Sequence, residues 1–329
     1  MPSYDVMPNM ELYQPARVEE ALDIADRLAE RGWLVGGGQD TYGWLKDRAK
    51  SAEALIDLSG IESLRGIRET ADGIEIGALT TLTEIANNPL IQERYALLSD
   101  AAGVVASPQI RNIGTIGGNL SQDVRCWYYR RGLSCYRAGG NLCYADTPEG
   151  MNREHSLFET SRCVAASPSD TAPAVVALDA TMVIRNVDGE RTVSAEDYFV
   201  GPAVDIENTT VLRPGEILTA VRIPSTWANA TFYFEKVADR NVWDFSLVNI
   251  AAAFQISGGT IQNSRIVAGA VQATPRRLTR VENAVRGQAR TAATGESVAA
   301  LAAEGARVLA HNGYKVPLLQ NLVKRSLSA

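Results

Sequence analysis

The sequence predicts an α+β protein. A small α/β unit leads, a glycine-rich middle follows, and strands then helices close the chain. Three observations predict this. Residues 18–59 read helix, strand, glycine turn, helix, strand, which is the order of a βαβ-like unit. Strand-like alternation returns at 73–82, 215–224 and 229–237. The last 45 residues, with SVAALAAEGARVLAHNG among them, have helical composition.

Taken in order, VEEALDIADRLAERG places Ala21, Leu22, Ala25 and Leu28 at helical spacing, with Gly32 as a stop. WLVGGGQDTYGWLKDRAK reads as strand, glycine turn and helix, and EALIDLS (53–59) as the next strand. GIEIGALTTL (73–82) alternates as a strand. TEIANNPLIQERYALLSDAAGVVAS is helical in composition, with Pro89 as an interruption. SPSDTAPAVVALDATMVIRN reads as turn, helix and strand, and Ser167, Ser169 and Asp170 are candidates to cap the helix beginning near Thr171. SLVNIAAAFQIS fits a strand or a helix equally, and SRIVAGAV (264–271) is a further strand.

The chain has 329 residues, of which 46% are hydrophobic, so it has length for two or three domains with cores that need no disulfides. A net charge of −6 argues against nucleic acid as a partner. No apolar run reaches the roughly 18 residues of a membrane span. The N-terminus lacks a basic-then-apolar export pattern. The expectation is a cytoplasmic protein, with periplasmic export alongside a signal-bearing partner left open.

All four cysteines fall in one segment with the spacing C-x8-C-x7-C-x19-C: Cys126, Cys135, Cys143 and Cys163. Disulfides, structural zinc and an iron–sulfur cluster compete for them. A chain without an export signal keeps its thiols reduced, and zinc loops favour close C-x2–4-C pairs that are absent here. Arg125, Arg130, Arg131 and Arg137 lie among the first three cysteines with no acid between 125 and 143. Such charge would lower thiol pKa values and offset a four-thiolate cluster, which favours iron–sulfur. Trp127, Tyr128, Tyr129 and Tyr136 either shield such a site or fill space beneath a long loop.

Two glycine loops, VGGGQDT (35–41) and NIGTIGGNLS (112–121), are candidates to present main-chain N–H groups to a phosphate. Neither matches the dinucleotide or P-loop fingerprint, and each is also readable as a plain turn. His155 and His311 stand apart from any acidic cluster and read as structural.

Together these stretches resemble the FAD-binding (medium) subunit of the molybdenum hydroxylases. That family holds the flavin subunits of xanthine dehydrogenase, carbon monoxide dehydrogenase and bacterial aldehyde oxidoreductases. VGGGQDT resembles its first pyrophosphate loop, with Gly36 and Gln39 where Ala and Thr are usual. QIRNIGTIGGNLS, SPSDTAPAVVALDA, FEKVADRNVWDFSLVNIAAAF and AGAVQATPRRLTRVENAVRGQ resemble its later motifs in the same order. The cysteine segment resembles an insertion found in 4-hydroxybenzoyl-CoA reductase and in periplasmic-type aldehyde oxidoreductases, where four cysteines hold an extra [4Fe–4S] cluster. The intervening NREHSLF is similar to the aldehyde oxidoreductase branch.

The resemblance implies a two-subdomain FAD-binding fold of the vanillyl-alcohol-oxidase type, over 1–60 and 61–225 with an iron–sulfur loop at 122–165. An antiparallel sheet with helices would follow over 226–329. It implies FAD held by Val35, Gly36, Gly37, Gly38, Gln39, Asp40 and Thr41 on one side. Ile113, Gly114, Thr115, Gly117, Gly118 and Asn119 would hold the other side. Ser169 and Asp170 would lie toward the ribityl or ribose, and Lys236 near the flavin pyrimidine edge. It implies a [4Fe–4S] cluster on Cys126, Cys135, Cys143 and Cys163. The implied partners are a large molybdenum-cofactor subunit, a small subunit with two [2Fe–2S] clusters, and an external electron acceptor. Substrate oxidation would occur on the large subunit and electron transfer here. Alternatives are a 4-hydroxybenzoyl-CoA reductase-like subunit, a stand-alone FAD oxidase, and a non-enzymatic iron–sulfur module.

Overall fold

The computed structural model describes residues 6–328. Its first sheet is parallel, with β1 (Glu11–Tyr13), β2 (Gly32–Val35) and β3 (Ala54–Asp57) in the order β1–β3–β2. Parallel neighbours require a crossover, and the short helix Thr41–Lys46 lies in the one between β2 and β3. Helix Val18–Leu28 turns Val18, Ala21, Leu22, Ala25 and Leu28 onto β3, as its spacing predicts.

The second sheet is antiparallel. It contains β4 (Ile67–Thr70), β5 (Gly73–Gly77), β6 (Thr181–Asn186), β7 (Gly189–Ser194) and β8 (Ile217–Pro224), in the order β4–β5–β8–β6–β7. The strand expected over 73–82 stops at Gly77. Thr81 then caps helix Leu82–Asn87 in a reciprocal box with Glu84, so the local signal is a helix start. Pro89 begins a helix as well as ending one. Asn88 caps Pro89–Arg94, where proline at the first position loses no hydrogen bond.

The third sheet, β9 (Thr231–Val237), β10 (Val248–Ser257), β11 (Thr260–Gly269) and β12 (Arg276–Arg277), is antiparallel in the order β12–β11–β10–β9. The ambiguous SLVNIAAAFQIS becomes β10. Its Ala251 and Ala253 face the core of the second sheet, with Leu98 and Ala174. Val248, Ile250, Ala252 and Phe254 face the other way, onto Leu319 and Leu322 of helix Lys315–Ser328. Two buried faces leave no polar alternation to read. The expected α+β class, with an FAD-binding-type region followed by an antiparallel sheet with helices, is the architecture found.

The C-terminal helical expectation holds for Ala292–Val298, for the tighter 3-10 turn Ala299–Ala303 that follows it, and for Lys315–Ser328, but fails over 304–314. Residues 304–314 are irregular, because their polar groups bond to the cysteine segment instead of to a helix of their own. Phe254 is fully buried where β10 meets the C-terminal helices. Phe254→Ala is expected to cost about 3–5 kcal/mol, seen as a lower denaturant midpoint. An unchanged midpoint would contradict this packing.

Candidate functional site

The two glycine loops touch. A Cβ on Gly37 would lie 2.3 Å from the Ile113 carbonyl oxygen, and one on Gly36 would lie 2.8 Å from Thr115 Oγ1. Glycine is required there by the closeness of the facing loop. Among the described residues, the amides of Gly36, Gly37, Gly38, Gln39 and Asp40 donate to no protein acceptor. A run of free main-chain donors at the wall of a cleft is the chemistry a phosphate needs.

The second loop differs from the sequence expectation. Gly114 N donates to Ile110 O, Gly117 N to Ala78 O, Gly118 N to Thr115 Oγ1 and Asn119 N to Thr115 O. Ile113 N also donates to Ile110 O, so five of the six expected donors are already used within the protein, and among the described residues Thr115 N is the one without a protein acceptor. The Asn119 side chain is also engaged, since its Oδ1 accepts from both Ser169 Oγ and Thr171 Oγ1 at 2.6 Å.

Beside the loops lies a cleft of about 830 Å³. Gly36, Gly37, Gly38, Gln39, Asp40, Thr41, Gly114, Thr115, Gly118, Asn119 and Asp170 line it. Val35 and Ser169 are buried behind it, Gly117 is packed on Ala78, and Ile113 presents its side chain to solvent. Trp243, Asp244 and Phe245 also line the cleft, as do residues of 207–216 and Ala25 of the first helix. The first stretch, 243–245, lies within FEKVADRNVWDFSLVNIAAAF, which the resemblance already marks, and the stretch 207–216 was not singled out from sequence. The aromatic pair just after KVADR was the available signal for the first.

Asp170 and Lys236 meet in a buried pair, with Lys236 Nζ 2.6 Å from Asp170 Oδ2. Asp170 Oδ1 accepts from Ser246 Oγ and Asn249 Nδ2, and Lys236 also donates to Val104 O. The helix Thr171–Ala177 is capped by Ser169, whose Oγ accepts from Ala172 N, while the Asp170 side chain makes no cap.

The four cysteines line one small pocket of about 10 Å³, with Tyr128, Tyr129, Tyr136, Tyr144 and His155. The chain returns on itself after Cys135 through a turn in which a Cβ on Gly140 would sit 2.0 Å from Ser134 O. Cys135 and Cys163 share an apolar cluster with Trp44, Val124 and Tyr129. Among the described residues, no group of three or more His, Cys, Asp or Glu is placed to hold a single metal ion.

The arginine expectation is overturned in part. Arg125 and Arg130 bond to Asp40, Arg130 also to Asp47, and Arg137 to Asp123. Acids from distant segments thus take up much of the positive charge. Burial pushes the Cys126 thiol up to about 11. It also raises the Cys163 thiol, although Arg137 pulls the other way. In the protein without a metal, desolvation outweighs the arginines. His155 Nε2 lies 3.3 Å from Cys126 Sγ, and burial together with the nearby Lys315 charge lowers its pKa to about 4.

The loop contact yields a test. Gly37→Ala forces the two loops apart, and the purified protein is expected to lose most of its FAD absorbance. Gly103→Ala meets only an ordinary contact at 3.9 Å and serves as the control that keeps it. Equal flavin content in both variants would refute the assignment.

Comparison with known proteins places this geometry. A family profile described as the FAD binding domain in molybdopterin dehydrogenase matches residues 8–226, and the CO dehydrogenase flavoprotein C-terminal domain matches 233–329. The carbon monoxide dehydrogenase medium chain of Hydrogenophaga pseudoflava is 26% identical over 98% of both chains. The aldehyde oxidoreductase FAD-binding subunit PaoB of Escherichia coli (strain K12) is 34% identical over 74% of this chain and 76% of its own. A solved structure of carbon monoxide dehydrogenase from Hydrogenophaga pseudoflava, lacking the Mo-pyranopterin moiety, aligns with a TM-score of 0.78. That alignment covers 98% of this chain and 97% of the other at 27% identity. No helix among the described residues is long and apolar enough to cross a membrane. The chain belongs to the FAD-binding medium subunits of the molybdopterin dehydrogenases, the molybdenum hydroxylase family of oxidoreductases.

Proposed function

We propose that this chain is the electron-transfer subunit of a heterotrimeric molybdenum hydroxylase of the aldehyde oxidoreductase type, with an extra [4Fe–4S] cluster on Cys126, Cys135, Cys143 and Cys163. The observation that carries the proposal is the gathering of four thiols, spread over 126–163, around one small pocket. The absence of a single-ion site does not conflict with it. A cubane takes one thiolate per iron, so its ligands surround a body of several atoms and need not converge on a point. The likeness to an aldehyde oxidoreductase FAD-binding subunit supports the choice of branch.

FAD, when bound, accepts and releases electrons. The chain supplies position and electrostatics. The free amides of Gly36–Asp40, with Thr115 N, hold the pyrophosphate. Asp170, Trp243 and Phe245 line the cleft assigned to the flavin, and Lys236 reaches it through its pair with Asp170. Lys236 carries a positive charge there, which favours the reduced, anionic flavin. A small [2Fe–2S] subunit delivers electrons, a large molybdenum subunit oxidises the substrate, and an external acceptor drains the flavin.

In the purified complex, Cys143→Ser is expected to remove one cluster's worth of iron and bleach absorbance near 400 nm while FAD stays. Unaltered iron content, or four freely titratable thiols in the unmutated complex, would sink the cluster. Lys236→Met is expected to lower the flavin potential. It also leaves Asp170 buried without its cation, costing about 3–5 kcal/mol. A flavin potential equal to that of the unmutated protein removes that role from Lys236.

A further inference from the structure

His155 is unused by the reading above, and its placement is specific. The side chain is 5% exposed and stands at the wall of the cysteine cavity. Nε2 is 3.3 Å from Cys126 Sγ. Nδ1 is buried and has no hydrogen-bond partner among the described residues. A neutral imidazole carries one N–H. With no acceptor at Nδ1, the proton belongs on Nε2, where the sulfur can receive it.

The ring is aimed by a frame that contains no thiol. His155 N donates to Asn152 O at 3.1 Å. Asn312 Nδ2 donates to the carbonyls of His155 and Ser156, at 3.2 and 3.0 Å. Lys315 Nζ, itself fully buried, donates to Glu154 O and Ala270 O, both at 2.8 Å. Backbone on both sides of His155 is therefore pinned by the C-terminal segment. The imidazole meets Cys126 because of that pinning and not because the sulfur draws it in.

We infer that His155 is a positioning residue that donates a hydrogen bond from Nε2 to the Cys126 sulfur and thereby raises the reduction potential of the cluster bound there. This rests on the cluster reading. A donor to a cluster thiolate spreads its negative charge, and it does so more strongly in the more negative, reduced state.

The test is a potentiometric titration of the complete complex, followed by electron paramagnetic resonance. His155→Leu is expected to keep the iron and lower the midpoint of the extra cluster. The flavin and the partner's clusters should not move. His155→Gln, whose amide can still donate, is expected to recover much of the shift. An unchanged midpoint in His155→Leu overturns the inference. So do equal shifts in the two variants, which would mean packing and not donation. Should His155→Leu fail to assemble, the unmutated complex decides. Isotopically labelled histidine should show a nitrogen hyperfine coupling to the reduced cluster, and its absence overturns the inference. A complex with no iron beyond that of the small subunit refutes the cluster reading itself, and this inference with it.

Discussion

The arrangement depends on one carboxylate. Asp40 Oδ1 accepts from Arg125 and Arg130, while Oδ2 accepts from Trp44 Nε1 at 2.9 Å and Asp123 N at 3.3 Å. Asp40 belongs to the first glycine loop, and three of those partners belong to the segment leading into the cysteines. With its side chain held this way, the loop's amides remain turned to the cleft. Charge-assisted bonds of this kind are short and directional in a partly buried setting. Gly43 completes the junction. A Cβ there would lie 2.4 Å from Arg130 Nη2, so the missing side chain makes room for the guanidinium, which stacks 4.3 Å over Trp44. The cleft beside the glycine loops and the thiol pocket are thus two sides of one packed joint.

What the sequence disclosed followed from how local each signal was. Gly37 was legible because steric exclusion by a close backbone leaves glycine as the only residue that fits. The helix Val18–Leu28 was legible because one face is buried and the other wet. β10 was not, because Ala251 and Phe254 serve different cores on opposite faces and the run reads as uniformly apolar. The fate of the arginines was hidden for another reason. Arg125 lies 85 positions from Asp40 in the chain, and only the fold brings them together. The same holds for the thiol environment, where burial set by Trp44, Val124 and Tyr129 overrides nearby charge.

In the second glycine loop the main-chain groups are used differently from the sequence expectation. Its glycines allow close packing on Ala78 and a turn against Ile110, and its amides close that turn. Asn119 then fastens the loop to Ser169 and Thr171. One wall of the cleft is a donor surface, while the opposite wall is a brace that keeps the donor surface at the correct distance.

The irregular segment 304–314 has a consequence in time as well as in space. Arg307 grips Asp146 through two bonds, His311 N donates to Asn152 Oδ1, and Asn312 and Lys315 fasten 154–156. These fasteners all follow Cys163 in the chain. A ribosome builds a chain from its N-terminus, so every thiol emerges well before the residues that lock their enclosure. Through that interval the thiols are not yet held by the bonds that 307–315 supply.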